Sequence, residues 1–355
     1  MKEIKPADVA GGSCPIPISD YPHVLLAHGG GGRLSAMLVE RMFAGAFANP
    51  ALAEMHDGAT LEVNGTRIAM TTDSFVVSPR VFPGGDIGSL AVHGTLNDLA
   101  MCGAAPLGLT AAFVLEEGLG MDELWTIVRS MKAAAEASGV AIVTGDTKVV
   151  DRGKGDGLFI NTTGIGVVAP GIEISPKRAR AGDVVMVSGL IAQHGIAIMS
   201  VREGLEFETT VESDSAALNG LVDGVLGACG NAVHVLRDPT RGGVSSALNE
   251  IAASARVGMR LDEAAIPIAE QVRGACEILG LDPLYVANEG KVIAIVAPGQ
   301  AESALSAMRS HPLGKDAAVI GEVVADHPGR VFLRSRIGGL RVVDMLSGEQ
   351  LPRIC

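Results

Sequence analysis

The last residues of the sequence, Leu351-Pro352-Arg353-Ile354-Cys355, place a thiol with no residue after it. Cysteine attacks as the thiolate, and an unperturbed thiol ionises near pH ~8.5. On a terminal tether such a sulfur can be carried into a pocket and out again. Pro352 prevents helix continuation and stiffens the approach. Arg353 is expected to offset the terminal carboxylate, whose charge disfavours a neighbouring thiolate. The plain alternative is a frayed end with an incidental cysteine.

Acidic residues stand in unusual company upstream. Asp73 lies in Thr71-Thr72-Asp73-Ser74, Asp98 follows Asn97 inside an otherwise apolar helical pattern, and Asp146 lies in Gly145-Asp146-Thr147-Lys148. A carboxylate within an apolar helix is costly unless it is paired or metal-bound. Hard oxygen ligands from three separate elements, Asp73, Asp98 and Asp146, suit Mg²⁺ bridging the phosphates of a nucleotide. Each aspartate alone reads more readily as a cap or turn residue, and it is the three together that point to a metal.

The run His28-Gly29-Gly30-Gly31-Gly32 offers bare backbone N–H groups to an anion, or forms a plain flexible loop. It is not a P-loop, because Gly-x-x-x-x-Gly-Lys-Ser/Thr is absent. Asp238-Pro239-Thr240-Arg241-Gly242-Gly243 opens a helical pattern. Amides at that helix start and the Arg241 guanidinium could take phosphate, or the stretch is a simple turn. Glu289 in Asn288-Glu289-Gly290-Lys291 is a general base or a surface carboxylate, and Lys148 steadies a phosphoryl group or is merely solvated. His28, His93 and His194 each adjoin glycine, but no His/Cys spacing supports zinc, so they read as loop or core residues.

The elements that must position these groups follow from periodicity. A helical pattern runs from Leu34 to Phe47. Residues 61–77 alternate as paired strands around an Asn64-Gly65 turn. Helices are expected over 88–102 and Met121–Ser138, the latter with Leu124, Ile127, Val128, Met131 and Ala135 on one stripe and Gly139 as its stop. Val140–Val143 reads as a buried strand delivering Gly145-Asp146-Thr147-Lys148 at its end, and 158–168 as another strand. Beyond Ala181-Gly182-Asp183 the pattern restarts, with strands at Val184–Ser188 and Val292–Ala297 and helices at Gly243–Ala255 and Glu270–Leu279. A last short strand near 338–345 precedes the tail.

Composition bounds the reading. The chain has 355 residues, enough for two domains, and 48% are apolar, which excludes a disordered chain. Aromatics make up only 3% against 46 glycines, so the cores must be aliphatic with many tight turns. A net charge of −12 argues against nucleic acid or an anionic membrane as partner. The cysteines at 14, 102, 229, 276 and 355 are odd in number and lack Cys-x-x-Cys spacing. With no secretory leader and no membrane-spanning run, reduced thiols in the cytoplasm are expected.

Taken together, His93–Ala104, Gly145–Val150, Asp238–Gly243, Ala287–Gly290 and Pro352–Cys355 resemble the HypE family of hydrogenase maturation proteins, the carbamoyl dehydratases. The match runs almost end to end. The internal motifs mark the wider PurM-like superfamily of aminoimidazole-ribonucleotide synthetase, selenophosphate synthetase and thiamin-phosphate kinase. The ending Pro-Arg-Ile-Cys singles out the HypE family.

The resemblance implies a two-domain α+β or α/β fold of the PurM (AIR synthetase-like) type. Expected boundaries are an irregular arm over 1–27, an ATP-binding domain over 28–170, an α+β domain over 171–337, and a strand with a mobile tail over 338–355. The N-terminal sheets would pair into an intersubunit β-barrel in a homodimer. ATP and Mg²⁺ are implied, at Gly30, Gly31, Gly32, Asp73, Asn97, Asp98, Gly145, Asp146, Thr147 and Arg241. The implied reaction is ATP-dependent dehydration of a carbamoyl group on Cys355 to a protein thiocyanate, the cyanide source for NiFe hydrogenase. Lys148 would offset phosphoryl charge and Glu289 would take the N–H proton. A HypF-like carbamoyltransferase would supply the group, and a HypC–HypD complex would accept the cyanide.

Two rivals remain at this stage. Cys14 invites comparison with selenophosphate synthetase, yet Pro-Ile-Pro-Ile follows it where a lysine is expected. A non-catalytic nucleotide-sensing scaffold is the other.

Overall fold

The computed structural model describes residues 22–204, 210–348, 351 and 353–355. Cys14 and Pro352 lie outside the described residues. Among those described, two large sheets build the chain, and Asp57, Asp98 and Asp238 lie together between them.

The first part opens with the Gly-rich loop and a helix, α1 (Arg33–Met37), that passes through a π-helical segment at Leu38–Phe43 into α2 (Ala44–Ala46). A hairpin of β1 (Ala59–Val63) and β2 (Thr66–Phe75) follows, and Asn64 and Gly65 both have the positive φ its turn needs. After the short pair β3 (Val81–Phe82) and β4 (Gly85–Asp86) comes α3 (Ile87–Met101), capped by the Asp86 carboxylate on Gly88 N–H at 2.7 Å and Ser89 N–H at 2.9 Å. Then come β5 (Ala104–Glu116), α4 (Met121–Ala137), β6 (Ile142–Val150) and β7 (Leu158–Val168).

The strands order β1-β2-β7-β5-β6, with only β5 and β6 parallel. α3 and α4 cover one face, where Phe75, Leu109, Ala111, Leu158 and Ile160 are buried. The other face is open and carries exposed Met70, Val114 and Ile165. β6 corrects the sequence reading. It is not a short buried strand over Val140–Val143 but a nine-residue edge strand, exposed along almost its whole length, with Gly145-Asp146-Thr147-Lys148 in its middle. An apolar run looks the same in sequence whether its cover is the chain's own core or another molecule.

The second part holds a seven-stranded sheet: β8 (Val184–Val187), β9 (Val233–Arg237), β10 (Gly258–Asp262), β11 (Ile293–Val296), β12 (Ala318–Val324), β13 (Arg330–Arg334) and β14 (Leu340–Val343), ordered β14-β13-β10-β12-β8-β11-β9. Both faces of its central strands are covered. Val185, Val187, Val235, Ile293 and Ile295 join a core with α7 (Gly243–Ala255) and α8 (Glu270–Leu279). Met186, Leu236, Ala294 and Val296 point the other way, to α6 (Asn219–Cys229) and α9 (Ala301–Ser310). This two-sided burial explains why β8 and β11 read as unbroken apolar runs. α5 (Gln193–Arg202) packs toward the first part, where Ile198 joins its core. No helix among the described residues is long and apolar enough to cross a membrane.

Candidate functional site

The site is built on α3, which must approach β2 closely. Gly94 permits this, since a Cβ there would lie 2.9 Å from the Phe75 ring. Asp98, a turn further along α3, then meets β2, and its Oδ2 accepts from Thr71 Oγ at 2.6 Å. Thr71 Oγ1 also lies 3.0 Å from the carbonyl of Asp57, in the loop before β1. Asp238 arrives at the end of β9. Ligand atoms of Asp57, Asp98 and Asp238 all lie within 4.8 Å of one another.

This cluster is electrostatically incomplete. Burial pushes the Asp98 carboxyl well up, and Asp238, Asp57 and Asp73 add to the shift. Burial, with Asp57 next, pushes Asp238 up to about 8. Asp73 is raised by burial against the opposing charge of Arg241. Arg237 neutralises part of the charge, 3.0 Å from Asp57 Oδ1, but Asp57 Oδ2 is buried without a hydrogen-bond partner. Like charges this close are tolerated when protons or a cation sit among them. Three carboxylates with an orphaned oxygen fit a hard divalent cation such as Mg²⁺.

The Gly-rich loop and Arg241 come together beside this cluster. Gly31, at φ 74°, leaves no room for a side chain, because a Cβ would sit 2.5 Å from Arg241 Cβ. Arg241 Nη1 donates to Gly29 O at 3.2 Å, and Arg33 N–H donates to Leu346 O at 2.9 Å. Gly30 and Gly32 thus lie in a loop held between α7's start and the segment leading to the tail.

The tail is docked. Val76 N–H donates to a terminal oxygen of Cys355 at 3.0 Å, and Ser78 N–H donates to Arg353 O at 3.2 Å. Ile354 is 3% exposed in the first core. Arg353 does not offset the terminal carboxylate as the sequence suggests. Its side chain donates to Val76 O at 3.0 Å and pairs with Asp156. The cation beside the thiol is Arg241. Burial pushes the Cys355 thiol up, Arg241 opposes the shift, and Glu289, Asp73 and Asp238 reinforce it.

Glu289 is 3% exposed and no surface carboxylate. Burial pushes its carboxyl well above the usual carboxylate range, aided by Asp238, Asp73 and Asp214, and its Oε1 has no hydrogen-bond partner. Its backbone is fixed: Asp214 Oδ1 accepts from Glu289 N–H at 3.1 Å, and Asn97 Nδ2 donates to Glu289 O at 3.0 Å. Asn97 also donates to Ala216 O at 3.1 Å and accepts from Leu218 N–H at 2.8 Å. With its amide so engaged, Asn97 serves as a clamp joining α3 to two loops.

Asp146 and Lys148 are not brought to the cluster within one chain. Register links Asp73 through Thr162 and Ala111 to Gly145, so three strand spacings, about 14 Å, intervene. Asp146 pairs across with Ala112 and Asn161 on the open face, while Asp73 faces α3. Lys148 Nζ donates to Asp146 at 2.6 Å, and both are exposed. Gly145, Asp146 and Thr147 line a cleft of about 540 Å³ along β6 with Ala111 and Phe113. The inner space between Gly30, Arg241, Tyr285 and Ala287 is filled by Leu351 and Ile354, leaving about 10 Å³.

Sequence reasoning passes over Asp57, names Asp238 only as the opening of a phosphate-or-turn motif, and reads His194 as a loop or core residue. Asp57 precedes Gly58 and Asp238 precedes Pro239, so both read as turn chemistry. Their burial is the signal, and burial is a tertiary property.

Models of the AIR synthase related protein match at residues 55–168 for its N-terminal domain and 180–334 for its C-terminal domain. Carbamoyl dehydratase HypE of Cupriavidus necator is 57% identical over 93% of this chain and 94% of its own length. The chain belongs to the HypE family of carbamoyl dehydratases. A solved HypE–HypF complex superposes with a TM-score of 0.83 at 50% identity, covering 87% of this chain and 99% of the other. A HypE structure in complex with ATP superposes with a TM-score of 0.79 at 50% identity, covering 94% and 100%. The two-domain α+β PurM-like fold with mixed sheets agrees with the sequence reading.

Proposed function

We propose that Cys355 carries a carbamoyl group as a thiocarbamate and that this chain dehydrates it with ATP to a protein thiocyanate, the cyanide source for NiFe hydrogenase. The observation that carries this reading is the docked tail, which sets the Cys355 sulfur among Arg241, Glu289 and the acidic cluster. Oxide is too poor a leaving group to depart from the thiocarbamate unaided. Its carbonyl oxygen therefore takes the γ-phosphoryl group from ATP, releasing ADP. One N–H proton is lost as the C=N bond forms. Loss of the second with the C–O bond pair leaving as phosphate gives S–C≡N.

Glu289 is the proposed acceptor of an N–H proton. Its raised affinity for protons suits a base working near neutral pH. Arg241 offsets negative charge beside the sulfur and phosphoryl oxygens. Asp57, Asp98 and Asp238, with Asp73 beside them, would hold Mg²⁺, which when bound screens phosphate charge. The tail exchanges between this docked position and a free one in which a HypF-like partner loads the sulfur and a HypC–HypD complex collects the cyanide.

The exposed β6 edge and open sheet face, with Val143 65% exposed, support pairing of two copies into an intersubunit barrel. Because Asp146 and Lys148 stand on that open face, their help to a nucleotide would cross the interface from the facing copy. Residues 28–170 and 171–337 are the proposed domain limits.

Intact mass tests the reading. Carbamoyl-loaded chain incubated with ATP and Mg²⁺ is expected to lose the mass of one water. An unchanged adduct, or nitrile formed by a chain lacking only Cys355, would overturn it.

A further inference from the structure

The tail lies beside the segment after β2, with Arg353 in the left-handed region at φ 50°, and this creates a polar problem. Arg353 O and the Cys355 terminal oxygen accept from Ser78 and Val76 N–H groups on one side. Neither of these two bonds takes the Ile354 carbonyl, which lies in a buried place where an unsatisfied oxygen is unfavourable. His194, wholly buried at the start of α5, meets it: Nε2 lies 2.7 Å from Ile354 O.

The bond fixes the tautomer. A carbonyl only accepts, so Nε2 carries the proton and Nδ1 is an acceptor. Nδ1 lies 2.7 Å from Ser213 Oγ, so the hydroxyl donates to it. The Ser213 oxygen in turn accepts from Ser215 N–H at 3.1 Å. Phe82 packs edge-on against the imidazole, with ring centroids 5.5 Å apart, and Ser213 N–H donates to Pro83 O at 2.8 Å. The ring is thus held by Ser213 and Phe82, groups outside the tail.

We infer that His194, oriented by Ser213, is a positioning residue that sets the register of the docked tail, so that the Cys355 sulfur and not a neighbouring residue faces Arg241 and Glu289. The two backbone bonds would form with any residues in those places, and a slip of one residue would carry the sulfur away from its position. His194 makes the correct register distinct because it offers one donor at one height. The inference rests on the proposed reaction at Cys355, and it leaves ATP binding and carbamoyl loading to other residues.

The test uses the full chain with His194→Leu, His194→Gln and Ser213→Ala. Two readouts are taken. One is the rate at which a maleimide labels Cys355, followed by the mass of the C-terminal peptide. The other is ATP-dependent water loss from carbamoyl-loaded chain in a single turnover. His194→Leu is expected to label about tenfold faster and to dehydrate about tenfold more slowly, with nucleotide affinity unchanged. Glutamine, which keeps an N–H donor, is expected to restore most of both rates, and Ser213→Ala to fall between. If His194→Leu does not fold, Ser213→Ala alone decides, because it removes only the orienting bond. Wild-type labelling and dehydration in His194→Leu or, failing that, in Ser213→Ala would overturn the inference. Absence of water loss in the wild type would instead reject the proposed reaction, with labelling still reporting on the latch.

Discussion

Replacing Ile354 by alanine isolates the burial that seats the tail. The side chain is 3% exposed, within the core that includes Phe75, Val77 and Ala287. Ile→Ala deletes three carbons, each contributing roughly 0.8 kcal/mol on burial, so docking weakens by about 2.4 kcal/mol. That is about a 50-fold rise in the undocked fraction. While docking still dominates, the rate at which an alkylating reagent reaches Cys355 follows that fraction, and is expected to rise by the same factor. The substitution loosens a terminal segment and leaves the rest of the core in place, so the melting temperature should move little. Labelling is read as the mass of the C-terminal peptide, which separates Cys355 from Cys14, Cys102, Cys229 and Cys276. A change below about threefold, with the fold intact, would show that burial of Ile354 does not hold the tail, since even one methylene is worth about that much.

Asp98→Asn is expected to weaken Mg²⁺ binding by more than about tenfold in titration calorimetry, while raising the melting temperature in EDTA by relieving repulsion with Asp57 and Asp238; a lower melting temperature would contradict the crowding described. Burial takes the His93 imidazole down to about 4 from an ordinary value of 6.5. The unfolded chain then binds more protons between those values, so His93 contributes stability that is full above pH ~6.5 and lost as the pH falls toward 4, on the order of 3 kcal/mol. Denaturant melts of wild type and His93→Gln from pH 4.5 to 7 should show a shallower slope in the variant; parallel slopes would refute this. Val143→Lys on β6 should shift self-association by at least tenfold in sedimentation, because an edge lysine opposes strand pairing; unchanged association would place the interface elsewhere. Glu289→Gln is expected to let carbamoyl-loaded Cys355 accumulate with ATP bound, its dehydration slowed about 100-fold or more; wild-type rates by intact mass would assign the base to another residue.

Much of the fold is legible because local rules agree with it. Asn64-Gly65 fixes the first hairpin, and the stripe through Ile127 and Met131 matches the buried side of α4. α7 and α8 run over the expected residues. β5 is harder to see, since Pro106 and Gly108 break its alternation at a register shift. The extent of β6 is lost for a different reason: its apolar residues face outward, and periodicity records sidedness without naming what lies on each side.

The residue types pointed to the chemistry: a thiol at position 355, carboxylates in apolar company, and a glutamate and an arginine in glycine-flanked motifs. They could do so because such groups are unfavourable in those contexts unless something offsets them. Only the tertiary structure decided which of them meet. Asp57 and Asp238 join Asp98 from loops distant in sequence, Asp146 is turned to the open face, and His194 meets the Ile354 carbonyl. Proximity across two sheets is set by packing, and no spacing along the chain encodes it.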